Sequence, residues 1–458
     1  MRGAAPAGLR DMTAEAVSPR PAGADLVVIG AGIVGIATAL ALRLAGREVL
    51  LVDRGPVGAE TSHGNTGVLV ESPWRMPGFA ELLRRSPGIL LGRSNAVRVA
   101  PKHVPTAAAL LVRLMRGADR SGARALLLHQ LQRRSVALHR QWIAAAGASD
   151  LLRATGWLKL FRTPQAAAAF APDLDLLRRT GTAHRLLDAA AVQALEPALA
   201  PGCVGGVLLE DACSLSSPRA LSQRYAGYFR RLGGRLARAE VLALRPQDGG
   251  WRLDHSAGSL SARQVVVAAG PWSADLLARM GLRLPLHVER GYHLHLAPGQ
   301  GPELRRPVHD VAGGYVMTPQ SEGVRVTSGV EIASRDAPAD PRQIRRAVAL
   351  AQALAGLGPP LEVAPWCGSR PCLPDGLPAI GPVPGRRGLW LNTGHHHIGL
   401  SLAAGSGDLL ARMIAGTATT AEGAPFAPGR HLRAAPGPAP DHVLRNQGDC
   451  RCPRPTTW

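Results

Sequence analysis

Two rhythms of apolar positions run along the chain, and the places where one gives way to the other mark its elements. Residues 26–29 are an unbroken apolar run behind Asp25, the pattern of a buried strand. An Ala/Leu-rich helix follows to about Leu44 and stops at Gly46, and residues 48–52 form a second strand closed by Asp53. From Pro101 to Leu195 the chain is mostly Ala, Leu and Arg at helical spacing, which predicts a helical insert with little chemistry of its own. His103, His129 and His139 within it are expected at its surface or core edge. A helix over 220–231 leads to a β segment over 233–243, and 264–268 is an apolar strand running into Ala269-Gly270-Pro271-Trp272-Ser273. Between 284 and 328 the period becomes two: HVERGYHLHL alternates, and 314–318 and 323–329 read as strands joined around 319–322. Such a sheet is placed to wall a pocket, with Tyr292 or Tyr315 pointing inward. A helix over 340–355 is expected to be capped by Asp340, with Pro341 in its first turn.

The first strand and helix are joined by Gly30-Ala31-Gly32-Ile33-Val34-Gly35. In a GxGxxG turn the first glycine permits the tight turn, the second lets the backbone approach a pyrophosphate, and the third allows the helix to pack closely on the strand. The free N–H groups at the helix start then face the phosphates. Asp53 lies 23 residues beyond Gly30, where a carboxylate can accept bonds from ribose hydroxyls. Strand, turn, helix, second strand and terminal acid together predict a dinucleotide site. The later strand at 264–268, with its glycine turn, makes that domain discontinuous.

Composition narrows the partners. The 458 residues contain 53 Lys plus Arg against 33 Asp plus Glu, a formal net charge of +20. All but two of these cations, Lys102 and Lys159, are arginines scattered singly on Ala/Leu-rich stretches. Without dense basic runs, interleaved aromatics or zinc-finger spacing, nucleic acid is not an expected partner. Peripheral contact with an anionic membrane surface stays open. Six cysteines without a CxxC pair make neither a disulfide framework nor a metal site, which favours a reducing, cytoplasmic setting, including the cytoplasmic face of the inner membrane. Residues 1–24 lack the continuous apolar core of a secretory signal and read as a loose arm, with Met12 as an alternative start. No run reaches about 18 uninterrupted apolar residues, and the most apolar stretch, 106–115, is broken by Arg113. Residues 421–458, rich in Ala, Pro, Gly and Arg, are expected to be a disordered tail.

Four segments, GAGIVG, TSHGNTGVL at 61–69, VVVAAGPWS and the block from Trp366 to Gly416, stand in an order that resembles the FAD-dependent amine oxidoreductases. That family includes D-amino acid dehydrogenase, glycine oxidase and sarcosine oxidase. The TSxxNxG form and the GYVMTP…GVRVTSGVEIA stretch resemble the D-amino acid dehydrogenase branch. The resemblance implies an α/β fold: a discontinuous Rossmann-like FAD-binding domain over 25–100, 201–280 and 362–420, and an α+β substrate domain with an antiparallel or mixed sheet over 101–200 and 281–361. It implies that Arg370, in a G-x-R-P turn, binds the substrate carboxylate, where a guanidinium makes a bidentate pair. It further offers Tyr292 or Tyr315 as a second carboxylate contact and His397 as a neighbour of the substrate. The cofactor set is Gly30, Gly32, Ile33, Val34, Gly35, Asp53, Arg54, Thr61, Ser62, Asn65, Gly67, Val241, Gly270, Trp272, Gly394, His395, Ile398 and Gly399. The helix from about Ala403 is expected to aim its N-terminus at the flavin. Adjacent side chains at His395, His396 and His397 diverge, so no metal is expected. His63 and Cys367 each stand one residue out of register with the covalent attachment points of some relatives, and Gly368 takes the cysteine's place, so FAD is expected to be noncovalent.

The implied reaction moves a hydride from an amino acid's α-carbon to flavin N5. The imino acid is then hydrolysed to a 2-oxo acid and ammonia, and the electrons pass to a quinone, oxygen or another acceptor. D-amino acids are the leading substrates. The alternatives are glycine, sarcosine or a cyclic imino acid in the same fold, or a flavin-binding partner subunit without catalysis.

Overall fold

The computed structural model describes residues 24–75, 88–89, 94–104 and 122–435. The first 23 residues, the apolar stretch at 106–115, Cys450, Cys452 and the tail from 436 lie outside the described residues.

The strand Ala24–Ile29 is the centre of an eight-stranded sheet. It pairs in parallel with Val49–Asp53 on one side and Gly258–Val267 on the other. Arg235–Arg238 and Leu389–Thr393 extend the parallel set outward, while Val241–Gln247, Gly250–His255 and Ala379–Pro382 add antiparallel edges. Residues Leu26, Val27 and Val28 are fully buried, as expected for a parallel strand covered on both faces. Segments from three distant parts of the chain therefore build one layer.

Helix Ile33–Leu44 covers this sheet, and helix Gly399–Ala415 packs beside it, with Ala123–Ala145 on the far side. Gly405 and Gly407, two residues apart, project to opposite faces of the middle helix. A Cβ at Gly407 would come within 2.8 Å of the Ala37 carbonyl, and one at Gly405 within 2.7 Å of the Leu131 carbonyl. Close approach of both neighbours thus needs both glycines. Leu40, Leu402 and Leu410 are buried in this seam, each contributing about 1.5–3 kcal/mol of transfer free energy. The stretch His396–Ala415 reaches the length and mean hydropathy (1.2) of a membrane span, but 61% of it is buried inside the fold.

The second layer is a ten-stranded mixed sheet whose main path begins at Val97–Val99 and ends at His184–Leu187. His287–Leu296 pairs with Val330–Ile332, Gly323–Thr327 and Trp366–Cys372, and Tyr315–Gln320 completes the expected hairpin. Sheet membership crosses the expected domain limits: Val97–Val99, Gly205–Leu209 and Trp366–Cys372 all belong to this sheet. The supposed helical insert is also not purely helical, since Trp157–Phe161 and His184–Leu187 are strands within it. Neither has a β-branched residue: Trp157–Phe161 is held by burial, whereas His184–Leu187 is largely exposed and held by its ladder with Gly205–Leu209. His139 is fully buried, not peripheral, with its ring nitrogens bonded to the Tyr225 hydroxyl (2.8 Å) and the Leu400 carbonyl (2.9 Å). Asp340 accepts from the Arg342 backbone N–H (3.1 Å) at the start of helix Arg342–Ala355.

Part of the expected tail is folded. Residues 421–435 are ordered: Phe426 and Leu432 are buried, and Arg433–Ala434 pairs with Leu282–Arg283. Asp375 ties this segment down, accepting from Arg430 (2.9 Å) and lying 3.0 Å from His431 Nε2. Burial opposes ionisation of Asp375, but the His431 and Arg430 contacts outweigh it and hold the carboxyl well below the usual carboxylate range. With the folded pKa below the unfolded one (about 3.9), this contribution is complete above pH about 5 and is lost as pH falls through the folded pKa. Asp375→Asn should lower stability by about 1–3 kcal/mol at pH 7, read as a shift in denaturant midpoint, with a smaller difference at pH 3.

Candidate active site

A cavity of about 680 Å³ runs between the two sheets, from the Gly30 turn to the substrate-side sheet. At one end the Gly30 N–H donates to the Val52 carbonyl (2.8 Å), with the residue at φ 110°, a conformation suited to glycine. A Cβ at Gly35 would collide with the Gly30 carbonyl, so the helix start is pressed against the turn. Asp53 accepts from the Ala31 N–H (2.5 Å) and the Gly55 N–H (2.7 Å), which fixes its carboxylate at the strand end. Burial raises its pKa, and these two bonds oppose that shift. Ser62 Oγ accepts from the Ile33 N–H (2.8 Å), docking the 61–67 loop on the helix start. Within that loop Asn65 donates to the Ser62 carbonyl (2.6 Å) and accepts from the Gly67 N–H (2.7 Å). Thr61 donates to the Ser369 carbonyl (2.7 Å), joining the loop to the other sheet. Arg54 lies 4.1 Å from the centre of the Trp272 ring, and Thr393 donates to the Gly270 carbonyl (3.1 Å).

Of the residues assigned from sequence, Gly30, Gly32, Ile33, Val34, Asp53, Arg54, Thr61, Ser62, Asn65, Val241, Gly270, Trp272, His395, Ile398, Gly399, Tyr315, Arg370 and His397 all line this one cavity. Gly35, Gly67 and Gly394 stand behind it. Gly67 and Gly394 are turn residues at φ 74° and 85°. The helix at the cavity starts at Gly399, a turn earlier than expected.

A family model described as FAD dependent oxidoreductase matches residues 25–413. The chain belongs to this family. It is 30% identical over 428 residues to a D-amino-acid oxidase of Bradyrhizobium diazoefficiens, covering 90% of this chain and all of that protein. It is 32% identical over 443 residues to a D-amino acid dehydrogenase of Cereibacter sphaeroides, covering 92% and 97%. Among solved structures, glycine oxidase from Geobacillus kaustophilus superposes with a TM-score of 0.68 at 24% identity, covering 89% of this chain and 98% of that one. L-proline dehydrogenase from P. horikoshii reaches 0.69 at 17%, covering 90% and 98%, so the fold is shared.

As an FAD-dependent oxidoreductase the chain offers a cavity whose residues fit FAD. Asp53 and the glycine turn suit ribose and pyrophosphate. Buried polar atoms lining the cavity also lack partners among the described residues: the Asn392 amide oxygen, both amide atoms of Gln132 and the Thr327 hydroxyl. Such atoms are costly unless a ligand or water satisfies them. Gly64 and Gly368 border the cavity, and a Cβ on either would strike the Trp366 ring. Cys367 packs instead against the apolar cluster around Tyr292.

The substrate end is built on absent side chains. Gly291 pairs with Gly368 across adjacent strands, and a Cβ at Gly291 would enter the Arg370 guanidinium. Arg370 is half-buried, donates to the Gly329 carbonyl (3.2 Å) and has no carboxylate within 4 Å among the described residues. Burial lowers its pKa, and Glu289, its cross-strand neighbour, opposes that. Burial also works against ionisation of Glu289, but the His287 hydrogen bond and neighbouring imidazoles outweigh it and bring its pKa to about 2. Tyr315 meets the cavity only where its strand begins; its side chain is buried on the same sheet face as Tyr292, in the apolar cluster with Met317, and burial and Asp310 raise its pKa. Tyr292 is not a pocket residue. Because Gly291 faces the cavity, Tyr292 faces the opposite side. There its hydroxyl accepts from Arg290 (2.8 Å) and the Asp340 N–H (3.0 Å) and donates to Glu331 (2.5 Å). His397 is exposed into the cavity, with the Trp74 ring edge-on at 5.0 Å, and its surroundings and Arg370 lower its pKa. Sequence reasoning missed Trp74, Trp366, Lys159 and His309, all of which line the cavity. Lys159 carried one usable signal, its rarity in an arginine-dominated chain.

Asp53→Ala should weaken FAD binding by about 10–100-fold, the loss expected for charge-assisted hydrogen bonds, read as a lower flavin-to-protein ratio in purified protein.

Proposed function

We propose that this FAD-dependent oxidoreductase oxidises amino acids at the α-carbon, with D-amino acids as the preferred stereoisomer, to 2-oxo acids and ammonia. The observation that carries the reading is Arg370: a guanidinium facing the cavity above bare backbone, with its fork free of any carboxylate partner among the described residues. A planar carboxylate is the ligand that fork fits best. The names of the two curated relatives, a D-amino-acid oxidase and a D-amino acid dehydrogenase, support the choice of stereoisomer.

FAD, when bound, supplies the acceptor for the two electrons of the reaction. The protein's part is orientation and electrostatics. Arg370 holds the carboxylate. His397 and Trp74 close the side of the pocket. The reacting form of the substrate has a neutral amine, whose lone pair assists loss of the α-hydrogen as hydride. Water then converts the imino acid to the 2-oxo acid and ammonia. No side chain is required as a dedicated acid or base. Noncovalent FAD is part of the same reading, supported by Gly64 and Gly368 at the positions bordering the cavity. A quinone or oxygen serves as terminal acceptor.

Arg370→Ala should lower kcat/KM for a D-amino acid by about 100- to 1000-fold, the loss of a charge-assisted carboxylate contact, while the protein keeps its flavin. Steady-state kinetics of flavin-replete variant and parent check it. A loss smaller than about threefold would remove Arg370 from the substrate site. Acid precipitation should release all of the flavin into the supernatant.

A further inference from the structure

Lys159 is one of two lysines in a chain that otherwise carries its positive charge as arginine. It sits on strand Trp157–Phe161, is 9% exposed and lines the same cavity as Arg370. Its Nζ lies 3.0 Å from the centre of the Trp157 ring and 3.4 Å from His309 Nδ1, its partner across the parallel ladder. No carboxylate lies within 4 Å of it among the described residues. The nearest acid that influences it, Asp173, is already bonded to Arg75 at 3.0 Å. His397, between the two cationic ends, responds to the charges of both Arg370 and Lys159.

An amine enclosed in this way lacks the counter-charge that burial of a cation requires. Burial draws the Lys159 pKa down to about 7, with Asp173 opposing, and His309 beside it is kept uncharged by the same burial. An anionic group arriving at this end of the cavity would supply the missing partner. We propose that Lys159 is the second anchor of the substrate pocket, binding a carboxylate on the substrate's side chain and so favouring acidic amino acids over those with neutral side chains. This rests on the reading of Arg370 as the α-carboxylate anchor. The two anchors line the one cavity from strands well separated in the order of one sheet, so their spacing sets a length for the substrate.

The test uses the FAD-loaded enzyme and two readouts. In the first, binding of non-oxidisable acids is followed by perturbation of the visible flavin spectrum, comparing malonate, succinate, glutarate and adipate with monocarboxylates of equal chain length. The parent enzyme should bind the diacid of matching length at least about tenfold tighter than its monoacid. Lys159→Met should bring that ratio to within twofold of one, and Lys159→Arg should keep it above one. In the second, the kcat/KM ratio of D-glutamate or D-aspartate to D-norvaline should fall at least tenfold in Lys159→Met. A diacid ratio near one in the parent overturns the proposal, as does a ratio that survives Lys159→Met or an equal loss for acidic and neutral substrates. Lys159→Gln replaces the Met variant if that fails to hold flavin. Diacid selectivity without reduction by any amino acid would leave the anchor standing and refute the amino-acid reading alone.

Discussion

A guanidinium laid over bare backbone organises the substrate end of this protein. Arg370 occupies its position because Gly291, beneath it, has no side chain, and Gly368 opposite Gly291 gives the Trp366 ring its place. Among the described residues the charge so placed meets the Gly329 carbonyl and, at longer range, Glu289, and no carboxylate within 4 Å. Desolvated cations are costly without a partner, so this geometry selects an anionic ligand. The rest of the fold keeps that ligand near the cofactor. Thr61 bonds the flavin-side loop to Ser369, the residue before Arg370, and so ties the arginine strand to the nucleotide side.

The nucleotide half was legible because its chemistry depends on backbone. Only glycine tolerates the contacts at Gly30 and Gly35, and an acid at a parallel strand end has few structural uses, so GAGIVG and Asp53 report directly on a site. The substrate half was harder. The strand His287–Leu296 is buried along most of both faces, so alternation alone did not show which face met the cavity, and Tyr292 and Tyr315 stayed equal candidates. The parity set by Gly291 turns Tyr292 away from the cavity into a saturated network with Arg290 and Glu331, and the ladder puts the Tyr315 side chain on that same face. Lys159 was hidden for a different reason. An Ala- and Leu-rich neighbourhood suggested helix, and only the pairing of Trp157–Phe161 with Val308–Asp310 brings the lysine to the cavity. The segment 421–435 reads as tail because it is rich in Ala, Pro, Gly and Arg, yet Phe426, Leu432 and the Asp375 contacts suffice to order it.

The helix Gly399–Ala415 links these halves. Its glycines admit a helix on each side, which buries a stretch apolar enough to resemble a membrane span. Its first turn carries Ile398 and Gly399 to the cavity wall next to His397. Sheet packing, helix packing and the cofactor wall therefore share one element, and the short side chains in it serve all three.

Anaerobic reduction of the enzyme-bound flavin by matched pairs, D-alanine against ethylamine and D-phenylalanine against phenethylamine, with the L-enantiomers alongside, bears most directly on carboxylate recognition. Bleaching by each D-amino acid about 100-fold or more faster than by its matched amine is the predicted result. Equal bleaching by the amines, which lack a carboxylate, would contradict it.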